Sequence, residues 1–280
     1  MNLGNAAPLG IALLGLLLGM RHATDPDHVI AVTTILSREH RIGAAARVGV
    51  IWGLGHTLMV LIVGAAIGAL NGLIVVLSRI PDVVATLTSG FIWGGVALLI
   101  LEKPGGGAPQ EFLNLGAGTL FTPWLPNALV LLLAAVTVIW IPLRRSKLGL
   151  QLYAVGSDRI AAFRSGVNID RTRFAAYIFS GLFSAVGGLG LTMTTGIGAP
   201  LAGVYYTLSG LAAVVVGGVS LAGGRGGMVG PLMAAFVLTL IPTDLIFLNI
   251  DPNFGQVIQG TLIVMIVMIG GFVDMARYRK

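Results

Sequence analysis

The side chains best equipped for chemistry stand near the start of the chain, at His22, Asp25, Asp27 and His28. If this stretch is helical, His22, Asp25 and His28 recur every third residue and share an arc of about 120°. Pro26 brings no N–H of its own, so the carbonyl of His22 is freed from its helical partner. Two imidazoles, two carboxylates and a free carbonyl form an N/O donor set that suits a divalent cation such as Ni²⁺ in a tetragonal arrangement. An ionisable group within a membrane segment is a functional candidate by default. The competing reading is a short polar loop that ligates nothing. His40 lies between Glu39 and Arg41 and reads as a solvated loop residue; the fourth histidine is His56.

The elements that must carry these residues are apolar. Of 280 residues, 56% are hydrophobic and 10% are charged, against about 25% charged in soluble domains. A soluble core of this length cannot hide so much apolar surface, whereas a bilayer can. The 41 glycines suit helices packed closely in lipid. Cysteine is absent, which excludes disulfides, thiolate metal sites and a cysteine nucleophile. The first apolar run, Pro8 to Met20, leads into the charged motif and not into a small-residue cleavage site, so no cleaved signal is expected. The Lys and Arg residues flank apolar spans instead of forming a stripe, which argues against nucleic-acid binding. The expected fold is therefore an all-α, polytopic transmembrane bundle of about eight segments, some broken or re-entrant.

Candidate spans fall at 8–36, 46–77, 83–101, 125–143, 174–195, 208–224, 227–248 and 256–274. The longest polar stretch, Arg144 to Arg173, carries seven basic residues and is cytoplasmic by the positive-inside rule. Counting from it puts Gly196 to Tyr206 and Asn249 to Phe254 outside, and Gly223 to Gly227 and the basic C-terminus inside. Counting the other way puts Glu102 to Trp124 outside and Arg79 inside. The parity then fails. A single span over 46–77 leaves Arg38, Arg41 and Arg47 outside, and a break near Gly64 to Gly72 returns them inside.

Two resemblances follow from motifs. Gly19-Met-Arg-His22-Ala-Thr-Asp25-Pro26-Asp27-His28, with Gly55-His56-Thr57, resembles the urease-accessory branch of the nickel/cobalt transporter family over residues 10–64. That resemblance implies a metal site at His22, Asp27, His28 and His56, for Ni²⁺ or Co²⁺. From Gly68-Ala-Leu-Asn71-Gly72 onward the chain is similar to the membrane subunit of ribose-type (monosaccharide) ABC importers. The similarity is strongest over Leu148 to Val167, and recurs over Leu211 to Gly226 and at Gln256 to Gly260. The chain thus reads as a join of a nickel/cobalt-transporter-like membrane segment, 1–65, and an importer-permease-like membrane domain, 66–280.

The importer resemblance implies that Tyr153, Gly156, Ala161, Ala162 and Gly166 form a coupling element for a cytoplasmic ATP-binding subunit, with small residues permitting close contact. An interfacial helix held to headgroups by Arg159 and Arg164 is the alternative. Two glycine clusters, Gly217-Gly218 and Gly223-Gly224-Arg225-Gly226-Gly227, either break a helix along a translocation path that also includes Asn71, or pack helices through Gly226-Gly-Met-Val-Gly230. No Lys-Ser or Lys-Thr follows the clusters and no phosphate-loop pattern occurs, so ATP hydrolysis belongs to another chain and no enzyme site is expected. Asp244, behind Ile241-Pro242-Thr243, reads as a residue of the outer rim.

The leading expectation is a permease subunit of an ATP-driven importer for a sugar or similar small polar solute, in the bacterial cytoplasmic (inner) membrane. Its implied partners are the ATP-binding subunit, an extracytoplasmic solute-binding protein and a second permease subunit as a homodimer, with no bound cofactor. The alternatives are a nickel/cobalt ion permease and an incomplete membrane protein that transports nothing.

Overall fold

The computed structural model describes residues 42–78, 80–108, 110–119, 124–221, 223–251 and, with gaps, 254–268. The described residues are almost wholly helical. The helices are α1 (Ile42–Ser78), α2 (Asp82–Ile100), α3 (Gln110–Ala117), α4 (Asn127–Arg145), α5 (Lys147–Ser157), α6 (Arg159–Arg164), α7 (Ile169–Thr195), α8 (Ala202–Val216) and α9 (Val229–Phe247). Five of them contain stretches long and apolar enough to cross a membrane: Thr57–Ser78, Asp82–Ile100, Asn127–Arg145, Ile169–Thr195 and Val229–Phe247. Helix α8 is apolar but shorter, with 15 residues. The spans expected from composition at 83–101, 125–143 and 227–248 agree with these helices to within two residues at each end. The span expected at 8–36 lies outside the described residues.

These helices turn apolar side chains outward. Phe91 and Leu99 on α2 are 83% and 86% exposed. In water that surface would be costly, whereas acyl chains solvate it. Helix α4 contains a π-helical stretch at Val136–Trp140, directly before Pro142, where the missing N–H already interrupts the α-helical ladder.

The chain divides into two compact units, Met1–Leu143 with Arg173–Leu201, and Arg144–Thr172 with Ala202–Lys280. In the first unit α1 and α7 run antiparallel, and glycines bring their backbones together. A methyl group added at Gly64 would overlap Ala185 Cβ at 2.6 Å, one at Gly68 would strike the Tyr177 carbonyl, and one at Gly72 would lie 3.1 Å from Phe174 and Tyr177. Gly181 on α7 returns the contact against Gly64 and Gly68. Lipid supplies no hydrophobic drive between helices, so close packing of this kind holds them together. At one end of the unit Arg173 donates to Asp82 at 2.5 Å. At the other end Gly105 and Gly198 exchange backbone hydrogen bonds at 3.0 Å, and Ala108 N donates to Gly196 O. Asp82 is thus joined to Arg173, and Gly105 and Ala108 to Gly198 and Gly196.

The break considered at Gly64 to Gly72 is corrected. Helix α1 passes through this stretch intact, because its glycines are spent on contact with α7. At 37 residues it is about 55 Å long, well beyond a hydrocarbon core of about 30 Å. The unbroken helix carries Arg47 to the end remote from Ser78, against the charge parity expected from sequence.

The second unit has a core at the α8–α9 hairpin, where Ala212 and Ala213 meet Ala234 and Leu238. Small side chains allow the close approach. Gly217 at the end of α8 lies against Gly230 and Pro231 at the start of α9.

A test of the α1–α7 contact compares two glycines of α7. Gly181→Ala should destabilise the protein by about 1–3 kcal/mol through overpacking. Gly188→Ala, with nothing within 4 Å of the added methyl, should be neutral or slightly stabilising, since alanine is the better helix former. Thermal unfolding of both variants in detergent checks the ranking.

Candidate functional site

Local capping shapes the basic stretch between α4 and α7. Ser146 ends the preceding helix and its hydroxyl accepts from Gly149 N at 3.2 Å, starting α5. Asp158 adopts an extended conformation and separates α5 from α6; its carboxylate accepts from Ile160 N at 2.8 Å and Ala161 N at 3.0 Å. Both are side-chain N-caps. Gly166, at φ +80°, stops α6: Val167 N donates to Ala162 O and Gly166 N to Phe163 O, the double hydrogen bond of a Schellman terminus. The result is a helix–turn–helix with fixed ends.

One face of this element is occupied by its own chain. A methyl on Gly156 would sit 2.6 Å from Gly224 N, and one on Gly223 would sit 2.7 Å from Gly156 O. Gly224 lies against the Ser157 backbone in the same way, at 2.5 Å from Ser157 Cα. The Tyr153 hydroxyl donates to Gly226 O at 3.0 Å. Gly223 and Gly224 hold φ +93° and +70°, a region closed to most side chains. The glycine clusters are needed both for conformation and for backbone-to-backbone approach.

Of the residues expected to act, Tyr153, Gly156, Gly223 and Gly224 therefore form one cluster. Gly217 and Gly218 lie at the α8 terminus, where Val219 N donates to Val214 O and Gly218 N to Val215 O. The helical pairing expected through Gly226-Gly-Met-Val-Gly230 is corrected: Gly226 and Gly227 precede α9, and Gly230 alone enters the helix contact, against Gly217. The small residues of the basic element also divide. Gly156 and Ala162 face inward, Gly166 serves as a helix terminus, and Ala161 is exposed. The exposed rim of α6 consists of Arg159, Ile160, Ala161, Phe163 and Arg164, with Ile160 and Phe163 66% and 68% exposed. Small residues drew attention to the covered face; the bulky apolar pair Ile160 and Phe163 was the signal for the open one.

Asn71 belongs to the first unit. It lines a cavity of about 430 Å³ between α1, α2 and α7, together with Thr86, Tyr177, Ser180 and Ser184. The Asn71 Oδ1 is buried and accepts no hydrogen bond from the protein. The Thr86 hydroxyl donates to Asp82 O at 2.9 Å, leaving its acceptor capacity. A cavity of this size falls in the range of small-molecule sites. Thr86, Ser180 and Ser184 were not singled out from sequence, because isolated hydroxyls in apolar helices usually bond to the preceding turn.

His22, Asp27 and His28 lie outside the described residues, and His56 lies within α1. Among the described residues no group of three or more His, Asp or Glu side chains gathers as a metal site. Asp244 is exposed on the last turns of α9.

The chain matches, over residues 6–267, the family described as branched-chain amino acid transport system, permease component. It is 30% identical to the galactose/methyl galactoside import permease protein of Haemophilus influenzae, over 80% of this chain and 67% of that protein. It is 30% identical to the ribose import permease protein of Bacillus subtilis, over 71% of this chain and 62% of the relative. It is 31% identical to the fructose import permease protein of Rhizobium meliloti, over 82% of this chain and 64% of the relative. The chain thus spans about two thirds or less of the length of these relatives. No solved structure matches it. The family match runs through residue 65, where a change of family was expected, and no comparison supports a nickel/cobalt-transporter segment or a join. With its apolar helices, the chain is a multi-pass inner-membrane protein.

The glycine contact is open to a direct comparison. Gly224→Ala adds a side chain at positive φ, costing roughly 1–2 kcal/mol, and forces it into the Ser157 backbone. Gly227→Ala meets nothing within 4 Å. Size-exclusion profiles and melting temperatures in detergent should show Gly227→Ala like the parent and Gly224→Ala with a reduced folded fraction.

Proposed function

We propose that the chain, which belongs to the branched-chain amino acid transport system permease component family, is the membrane subunit of an ATP-driven importer for a monosaccharide or similar polyhydroxylated solute. The observation that carries this reading is the match across residues 6–267, joined to relatives named for import of galactose, ribose and fructose. A cytoplasmic ATPase subunit docks on the α5–α6 element. Its footprint is the exposed rim of α6, with Ile160 and Phe163 entering apolar pockets and Arg159 and Arg164 at the margin, as in helix-in-groove recognition. Tyr153 and Gly156 face inward and serve the same coupling by anchoring the element. An extracytoplasmic binding protein delivers the solute, and a second permease subunit, a copy of this chain, completes the pathway.

The solute passes Asn71. Asn71 lines the cavity with Thr86, Ser180 and Ser184, and its carboxamide oxygen, buried with no protein donor, becomes an acceptor for a sugar hydroxyl when the side chain turns into that space. Gly217, Gly218, Gly223 and Gly224 supply the interrupted backbone between α8 and α9 that alternating access needs.

Affinity capture tests the docking rim. The parent chain should retain its ATPase subunit, and Ile160→Glu with Phe163→Glu should lose it while keeping the parent melting temperature. Retention by the charged variant would contradict the assigned surface. For the pathway, Asn71→Leu should lower monosaccharide uptake by about tenfold, the order expected for one lost buried hydrogen bond to solute, with ATPase retention unchanged. Uptake equal to the parent would remove Asn71 from the route.

A further inference from the structure

The α5–α6 element is continuous, through backbone contacts and hydrogen bonds, with the α8–α9 hairpin. Tyr153, on α5, is 73 residues distant in sequence from Gly226, yet its hydroxyl donates to the Gly226 carbonyl at 3.0 Å. Gly156, one turn further along α5, meets Gly223 and Gly224 without intervening side chains. The loop that receives these contacts is stitched to itself. Ser220 N donates to Arg225 O at 3.1 Å, and Gly223 N to Ser220 O at 3.0 Å. A methyl on Gly226 would lie 2.8 Å from Val219 Cγ2, so the two arms of the loop touch. At its base Gly217 is pressed against Gly230 and Pro231, where the two helices converge on the Ala212, Ala213, Ala234 and Leu238 core.

Each step of this chain of contacts is close-packed. Packed backbone has little compressibility, so a displacement at one end is transmitted and not absorbed. A side chain between α5 and the loop could change rotamer and take up the motion; glycine against glycine leaves nothing to do so.

We propose that the Gly223–Gly226 loop is a transmission joint. It passes movement of the ATPase-bound α5–α6 element to the α8–α9 hairpin, and Tyr153 is the positioning residue that latches α5 to it. This rests on the reading of α6 as an ATPase docking surface. Tyr153 acts through the Gly226 carbonyl and touches neither solute nor nucleotide. Removing its hydroxyl should leave docking intact and uncouple the response of the loop.

The absence of native cysteine makes a clean probe possible. Leu221 lies in the loop and is 62% exposed, so Leu221→Cys gives a single maleimide-reactive thiol. The full chain with this substitution, in lipid nanodiscs with its ATPase subunit, is labelled with and without a non-hydrolysable ATP analogue. The labelling rate should change with nucleotide. Adding Tyr153→Phe should shrink that nucleotide-dependent change by about fivefold, the order of one hydrogen bond, with ATPase retention unchanged and the melting temperature within about 4 °C of the parent. Tyr153→Phe with an undiminished response would overturn the role of Tyr153. A labelling rate indifferent to nucleotide, with the ATPase bound, would overturn the joint while sparing the docking reading. Failure of the parent chain to hold any ATPase would remove the docking reading and the joint with it.

Discussion

Contact between glycine backbones is the constraint from which both units follow. In the second unit the meeting of Gly156 with Gly223 and Gly224 lets α5 lie directly on the loop before α9. Any side chain there would overlap the facing backbone and force α5 and the loop apart. In the first unit Gly64, Gly68 and Gly181 do the same for α1 and α7. Lipid is as apolar as leucine, so helices in it gain by fitting closely, and the outward faces stay free for large apolar residues such as Phe91 and Phe247.

This division of labour explains why so few side chains are buried among the described residues. Val75 is the largest fully buried side chain, and the rest of the core is mostly alanine. Polar groups are placed with economy. Arg173 and Asp82 close one end of the first unit, caps at Ser146 and Asp158 define α5 and α6, and Asn71, in the wall of a cavity shared with Thr86, Ser180 and Ser184, keeps a buried oxygen without a protein donor.

The membrane class, the spans at 83–101, 125–143 and 227–248 and the importer-permease resemblance were legible in the sequence, because apolar length and a basic loop are one-dimensional signals; the span expected at 208–224 is instead the shorter helix Ala202–Val216 followed by a glycine loop, and most of 256–274 lies outside the described residues. Glycine was ambiguous. Gly64 to Gly72 looked like a break and is a packing stripe; Gly226 to Gly230 looked like a packing stripe and is a turn running into a helix. The difference lies in what stands opposite each glycine, which is a three-dimensional fact. The same holds for Gly156, whose smallness admits the backbone of Gly223 and Gly224. The His22–His28 motif resembles a nickel/cobalt transporter, yet the permease family match extends across it.

The central claim is that this chain carries a polyhydroxylated solute under the control of ATP hydrolysed elsewhere. Proteoliposomes containing the chain, its ATPase subunit and its binding protein test it most directly, with radiolabelled monosaccharides and Ni²⁺ offered in parallel. An importer subunit gives monosaccharide accumulation that requires both ATP and the binding protein, and no Ni²⁺ uptake. Monosaccharide flux indifferent to ATP, or Ni²⁺ accumulation in its place, would contradict it.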